Sequence, residues 1–235
     1  MPADSKAISL TSLASRAAVL KATQDKANRK TGRIIMALDA TASRQGMWNT
    51  SKKIMHSIFN AIASIGELEI QLGFYRSYDD CQFAAFTSDI SIIKANMDTV
   101  QCIVGQTQIR SVLAHAIAES AQGKIDAVVI IGDTIEEHGS ELTTIRHYAT
   151  SLGALNIPIF MLLESDKDNY DFERVKGEFT DIARRSGGAY ADFDESAASR
   201  LADLLGSIAT FAVGGRAALE KSGSEGAKLL LSQLK

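Results

Sequence analysis

Cysteine is nearly missing from this chain, with two residues, at positions 81 and 102 of 235. So sparse a set cannot staple a disulfide scaffold, and its spacing forms no Cys-x-x-Cys clip for a metal. Two free thiols suit a reducing compartment. A surplus of one charge is missing too, since 25 Lys and Arg stand against 28 Asp and Glu, giving a formal charge of −3 and a pI near 5.8. A general nucleic-acid binder needs excess cations to neutralise phosphates, so that class is excluded. Long apolar runs are also lacking: those around Val128–Ile131 and Ile157–Leu163 are strand-length and far short of a bilayer span. Near the start, Lys6, Arg16 and Lys21 interrupt what would be the apolar core of a signal peptide, and no small-residue cleavage site follows. The expected location is therefore the cytoplasm.

What is present is a composition of 46% hydrophobic and 23% charged residues, which excludes wholesale disorder. The length fits one larger domain, or one domain with an appendage. Residues 1–32 read as a helix over 7–28 and a basic linker, in which Lys26, Arg29 and Lys30 (with Arg33 just beyond) form a solvated cluster. Residues 33–213 then alternate. The run RIIMALD is a strand buried on both faces, and Met47, Ile54, Met55, Ile58, Phe59 and Ile62 recur at helical spacing up to Gly66. The stretches ELEIQLGFYR and CQFAAF are joined by a polar link too short for a crossover helix, so they form an antiparallel hairpin at an edge of the sheet.

Helical stripes around Ile109–Ile117, Leu142–Leu152 (closed by Gly153), Phe172–Ala183 (stopped at Gly187-Gly188) and Leu201–Phe211 alternate with strands at Ile125–Gly132, Ile157–Leu163 and Ala189–Phe193. This pattern predicts an α/β domain, doubly wound and Rossmann-like. Its central sheet is mostly parallel, of six strands with one antiparallel edge strand, and helices cover both faces. Residues 214–235 read as a short tail helix, a flexible SGSEG joint and a last apolar segment.

Open α/β sheets bind ligands beyond the carboxyl ends of their strands. The polar residues expected there are Asp39, Thr41 and Ser43 after the first strand, Thr107 ahead of the Ile109 helix, and Asp133 after the IDAVVIIG strand. Two carboxylates and three hydroxyls from three loops suit a hard divalent cation such as Mg²⁺, with Mn²⁺ or Ca²⁺ as substitutes. No His or Cys joins them, which argues against zinc and copper. With two negative ligands the ion stays electrophilic and leaves a coordination position for an acidic group of a partner.

The segment DATAS resembles the Asp-x-Ser/Thr-x-Ser signature of von Willebrand factor A-type domains. Thr107 matches the lone Thr of that family's second motif and Asp133 the Asp of its third, and the likeness covers roughly residues 33–213. It implies that Asp39, Thr41, Ser43, Thr107 and Asp133 form a metal-ion-dependent adhesion site. The stretch Gly132-Asp133-Thr134-Ile135-Glu136-Glu137, with Phe74-Tyr75-Arg76 and Cys81, is similar to a group of bacterial cytoplasmic members. The resemblance implies a non-enzymatic module whose protein partner presents Asp or Glu to the metal, and whose companions include AAA+ ATPases or other operon-encoded proteins. Thr41 for the commoner Ser keeps the hydroxyl, while Thr134 for the commoner Gly alters the third loop.

Other readings remain at this stage. Each motif residue is also a good helix cap. Glu136 and Glu137 read as the acidic first turn of a helix, and Asp166, Asp168 and Asp171 as a solvated loop. Trp48 either borders the ligand surface or packs inward. The strand-end Asp residues also resemble haloacid-dehalogenase-type Mg²⁺-dependent phosphohydrolases. That family expects an acid at position 41, where this chain has Thr, and an Asp at 137, where it has Glu; without the general acid, proton transfer to the leaving group would be lost, worth about 10²–10⁴ in rate. A metal-independent structural scaffold is a further alternative.

Overall fold

The computed structural model describes residues 31–42, 59, 68–164, 171–193 and 198–234. The helix expected over 7–28 lies outside them, as does the one expected between Met47 and Gly66, where Phe59 alone is described and is buried in the core.

The first strand, β1 (Gly32–Asp39), shows why the sheet is central. Ile34, Met36 and Leu38 enter one hydrophobic cluster, and Ile35 and Ala37 enter the other. Side chains alternate across a strand, so an unbroken apolar run requires cover on both faces. The remaining strands are β2 (Leu68–Arg76), β3 (Asp80–Phe83), β4 (Ala127–Gly132), β5 (Ile159–Glu164) and β6 (Ala189–Phe193). Their order is β3-β2-β1-β4-β5-β6, and every pairing is parallel except β2 with β3. The expected hairpin is therefore the antiparallel edge.

On one face lie α1 (Ile90–Thr99), α5 (Ala198–Ser222) and α6 (Glu225–Leu231), through Ile93, Met97, Leu204, Ile208 and Leu230. On the other lie α2 (Ile109–Gln122), α3 (Gly139–Ala154) and α4 (Phe172–Ser186), through Val112, Leu113, Ile145, Leu152, Phe179 and Ile182. Each fully buried side chain of this kind contributes about 1.5–3 kcal/mol. Among the described residues no helix is long and apolar enough to cross a membrane.

Three local features differ from the sequence reading. Helix α1 was not expected; it buries only Ile93 and Met97, a stripe too narrow to stand out, and it starts because Asp89 accepts the Ser91 N–H at 2.8 Å. Gly153 does not close α3. It sits inside the last turn, where a Cβ would lie 2.7 Å from the Arg185 carbonyl oxygen, so glycine here permits close packing of α3 on α4. The SGSEG stretch is a pinned turn rather than a loose joint. Ser224 caps α6 by accepting the Ala227 N–H at 3.1 Å, and Asp203 of α5 accepts the Gly226 N–H at 2.6 Å. Beyond a break in helical backbone at Gly215, the last segment lays Ala227, Leu230 and Leu234 into the same core cluster as α5.

Candidate metal centre

Strand order reverses between β1 and β4: from β1 the chain builds outward to β2 and β3, then returns to β4 and proceeds the other way. The carboxyl ends of these two strands flank the crevice where ligands bind in such sheets. Register places Leu38 beside Ile131, so Asp39 at the end of β1 and Asp133 just beyond β4 leave neighbouring strand ends.

The β1 loop is strapped on several sides. Asp39 is fully buried and its Oδ1 accepts the Thr41 N–H at 2.7 Å. The Ala40 N–H donates to the Tyr75 carbonyl at 2.9 Å, and the Ala40 carbonyl accepts the Ile103 N–H at 3.1 Å. A Cβ on Gly132 would stand 2.8 Å from the Tyr75 hydroxyl and 3.4 Å from Asp39 Oδ2. Glycine at that point leaves room for the Asp39 carboxylate at the β4 end. Asp133 Oδ1 is buried with no hydrogen-bond partner among the described residues.

Thr107 reaches the same rim through a network that sequence reading missed. Its hydroxyl donates to Glu137 Oε2 at 2.6 Å and accepts the Glu136 N–H at 2.8 Å, while its own N–H donates to Glu136 Oε2 at 2.9 Å. Glu137 Oε1 also accepts the Arg110 N–H at 3.1 Å. Helix α2 has no side-chain cap from its own N-cap residue, Gln108, so Glu137 supplies one from another loop. Glu136 and Glu137 are thus not the first turn of α3, which begins at Gly139 and carries Glu141 there. They bind the Asp133 loop to the start of α2. On the far side Arg174 donates to the Ile135 carbonyl at 2.9 Å and pairs with Asp171, whose carboxyl the guanidinium holds below the usual range. Ser43, Trp48, Asp166 and Asp168 lie outside the described residues.

The structure therefore sets Asp39, with Thr41 bonded to it, beside the end of β4, and ties Thr107 to the loop that follows Asp133. Among the described residues no three His, Cys, Asp or Glu side chains form a metal cage. The donors are two carboxylates and hydroxyls, and these fit a hard cation that keeps some of its water. The Thr107 hydroxyl, with one proton given and one acceptor position used, retains a lone pair for an ion. The buried Asp133 oxygen is a second donor that the described fold leaves unsatisfied.

Helix α2 is seated on the β2–β3 hairpin by His115. Its ring stacks on Phe83 at 3.7 Å, and its Nε2 lies 2.9 Å from Gln71 Oε1. Burial lowers the His115 pKa below its usual value, with Glu119 opposing. The unfolded chain therefore takes up this proton first as pH falls through about 6.5. Stability held above that pH is expected to fall as the pH drops through and below it, and urea titrations should show a shallower loss in His115→Gln.

No protein-family model matches the sequence, and no curated protein matches it. Solved structures do match. BatB from Bacteroides thetaiotaomicron aligns with a TM-score of 0.52 at 16% identity, over 73% of this chain and 95% of that one. The SpRpn10 VWA domain gives 0.54 at 13%, over 79% and 97%. Proximal thread matrix protein 1 from the mussel byssus, solved with a zinc-occupied MIDAS motif, gives 0.58 at 17%, over 76% of this chain and 46% of that longer one. The chain thus spans nearly all of two neighbours and less than half of the third. At these identities the match establishes the fold alone: the chain has the architecture of von Willebrand factor A domains, a Rossmann-like α/β fold with a six-stranded mixed sheet.

Proposed function

We propose that this chain is a divalent-cation-dependent protein-binding module of the cytoplasm. In this reading Asp39, Thr41, Ser43, Thr107 and Asp133 hold Mg²⁺, with Mn²⁺ or Ca²⁺ as substitutes, and an Asp or Glu of a partner protein completes the coordination. The observation that carries it is the convergence, at the switch point of the sheet, of two strand-end carboxylates and a Thr107 hydroxyl tied to the Asp133 loop. A relative in fold is described with a zinc-occupied MIDAS motif, which supports a divalent ion at the corresponding rim. The metal would supply positive charge for a charge-assisted contact, and the surrounding surface would supply complementarity. The partner class that the family resemblance favours is an AAA+ ATPase or another protein of the same operon. Two free cysteines support the cytoplasmic location. Position 41 is Thr rather than an acid, which supports a binding role over phosphoester hydrolysis.

Isothermal titration with Mn²⁺ tests the site. The wild-type chain should give a saturable isotherm and an Asp39→Ala, Asp133→Ala chain none; equal heats in the two would remove the metal from the reading. Partner capture in Mg²⁺ and in EDTA tests the role, because recovery that ignores the metal assigns a scaffold instead. Turnover of a generic phosphoester that disappears in Asp39→Asn would assign an enzyme.

A further inference from the structure

Four large apolar side chains among the described residues are well exposed, and three of them gather beside the proposed metal rim: Tyr78 at 70%, Ile103 at 43% and Val104 at 79%. One exposed apolar residue is ordinary, but a group of them marks a surface that another molecule covers. Two adjoining segments carry this group. Tyr78 stands on the β2–β3 turn, and Ile103 and Val104 stand on the link between α1 and α2. The segments meet at Gly105, where a Cβ would lie 2.0 Å from Ser77 Cα.

Both segments are fixed in place. The Gln108 amide donates to the Ser77 carbonyl at 2.6 Å, and Arg76 donates to the Gln101 carbonyl. The link is also tied to the β1 loop, since Ile103 bridges Thr41 in parallel and its N–H donates to the Ala40 carbonyl at 3.1 Å. The patch is thus held outward by its own framework, and a partner meets it without first ordering a loop. Its reach from the rim is short. Bridged residues stand about 4.8 Å apart, and an extended chain advances about 3.3 Å per residue. A segment whose carboxylate sits at Thr41 therefore meets Ile103 or Val104 within about two residues. The other flank of Thr107 differs in character: the cavity there is lined by Glu136, Glu137 and Glu141 with Arg110 and His138. Three carboxylates against one guanidinium disfavour a second acid on that side.

We propose that Tyr78, Ile103 and Val104 form the apolar half of the partner-binding face. It takes a protein segment in which the metal-seeking Asp or Glu has a bulky apolar residue one or two positions away. This rests on the metal reading above and adds what the ion cannot choose. Carboxylates stand on every protein surface, so selection among them needs contacts next to the metal. An anionic bilayer does not meet these terms, because the acidic flank repels its headgroups.

Short random peptides displayed on phage provide the probe, selected on the full wild-type chain in Mn²⁺. Enriched sequences should carry Asp or Glu with Leu, Ile, Phe or Trp within about two positions, and synthetic copies should bind only when the metal is present. Tyr78→Ser with Val104→Ser alters exposed side chains alone. That chain should keep the wild-type Mn²⁺ isotherm and bind the selected peptide about tenfold more weakly. Enriched acids without apolar neighbours, or equal peptide affinity in the two chains, overturn the patch and leave the metal reading standing. A selection that yields no acidic sequence in Mn²⁺, or the same sequences in EDTA, overturns the metal-bridged contact as well. A wild-type chain that dimerises in Mn²⁺ while the double variant stays monomeric assigns the patch to a second copy and overturns the partner proposed here.

Discussion

Asp126→Ala should cost this fold about 3–5 kcal/mol, the usual penalty for removing one partner of a buried ion pair. Asp126 lies just ahead of β4 and is 2% exposed. Its Oδ2 accepts the Arg33 N–H at 2.9 Å, its own N–H donates to the Arg33 carbonyl at 2.8 Å, and Lys124 pairs with its Oδ1. Truncation takes the carboxylate from a largely buried ammonium and from the amide of Arg33. For a chain of this length each kcal/mol moves the melting temperature by about 2–4 °C, so thermal unfolding should show a drop of roughly 6–20 °C. Asp126→Asn, which keeps an acceptor for the Arg33 N–H but not the charge, should fall between. The cluster clamps the starts of β1 and β4, the two strands whose far ends carry Asp39 and Asp133. A variant that survives should therefore also lose definition at the rim proposed to hold the metal.

Why the fold was legible and the network was not follows from where each signal resides. Burial on both faces of β1 is written as consecutive apolar residues, and the β2–β3 hairpin as a short polar link between alternating runs; both are local. Gly187 as the stop of α4 was equally local, and its φ of 75° is the reason a glycine stands there. That Asp39 and Asp133 leave neighbouring strand ends was legible because strand-end position is a consequence of topology. Glu137 was visible as an acid, yet its partners Thr107 and Arg110 belong to a segment about thirty residues earlier, and nothing in the intervening pattern encodes that contact. Gly132 next to Asp39 likewise depends on the pairing of β1 with β4. The tail was misread because small polar residues look the same in a loose joint and in a capped turn. Asp203 and Ser207, one turn apart on α5, decide between them by holding Gly226 and Ser224.

Glu137→Ala is expected to act on stability and on the metal at once. The buried carboxylate accepts from the Thr107 hydroxyl and the Arg110 N–H, so its loss leaves two donors without their acceptor. Hydrogen bonds to a charged group contribute about 1.5–3 kcal/mol each in favourable cases and are not additive. A total of about 2–4 kcal/mol is expected, read from the urea midpoint in EDTA. Glu137→Gln keeps an acceptor for one donor and should cost less. Removing a group that orients a metal ligand typically weakens binding by 10–100-fold, and here the freed Thr107 side chain can rotate out of the rim. The two effects separate by linkage, because a bound ion stabilises the native state by RT ln(1 + [L]/Kd). Saturating Mg²⁺ should raise the wild-type midpoint and raise that of Glu137→Ala much less at equal concentration. If Glu137→Ala loses stability in EDTA but gains as much from Mg²⁺ as the wild type, then Glu137 serves α2 alone and Thr107 is not a ligand. If the gain shrinks in step with the Mn²⁺ affinity measured by titration, the acidic pair after Asp133 is what fixes the second motif against the third.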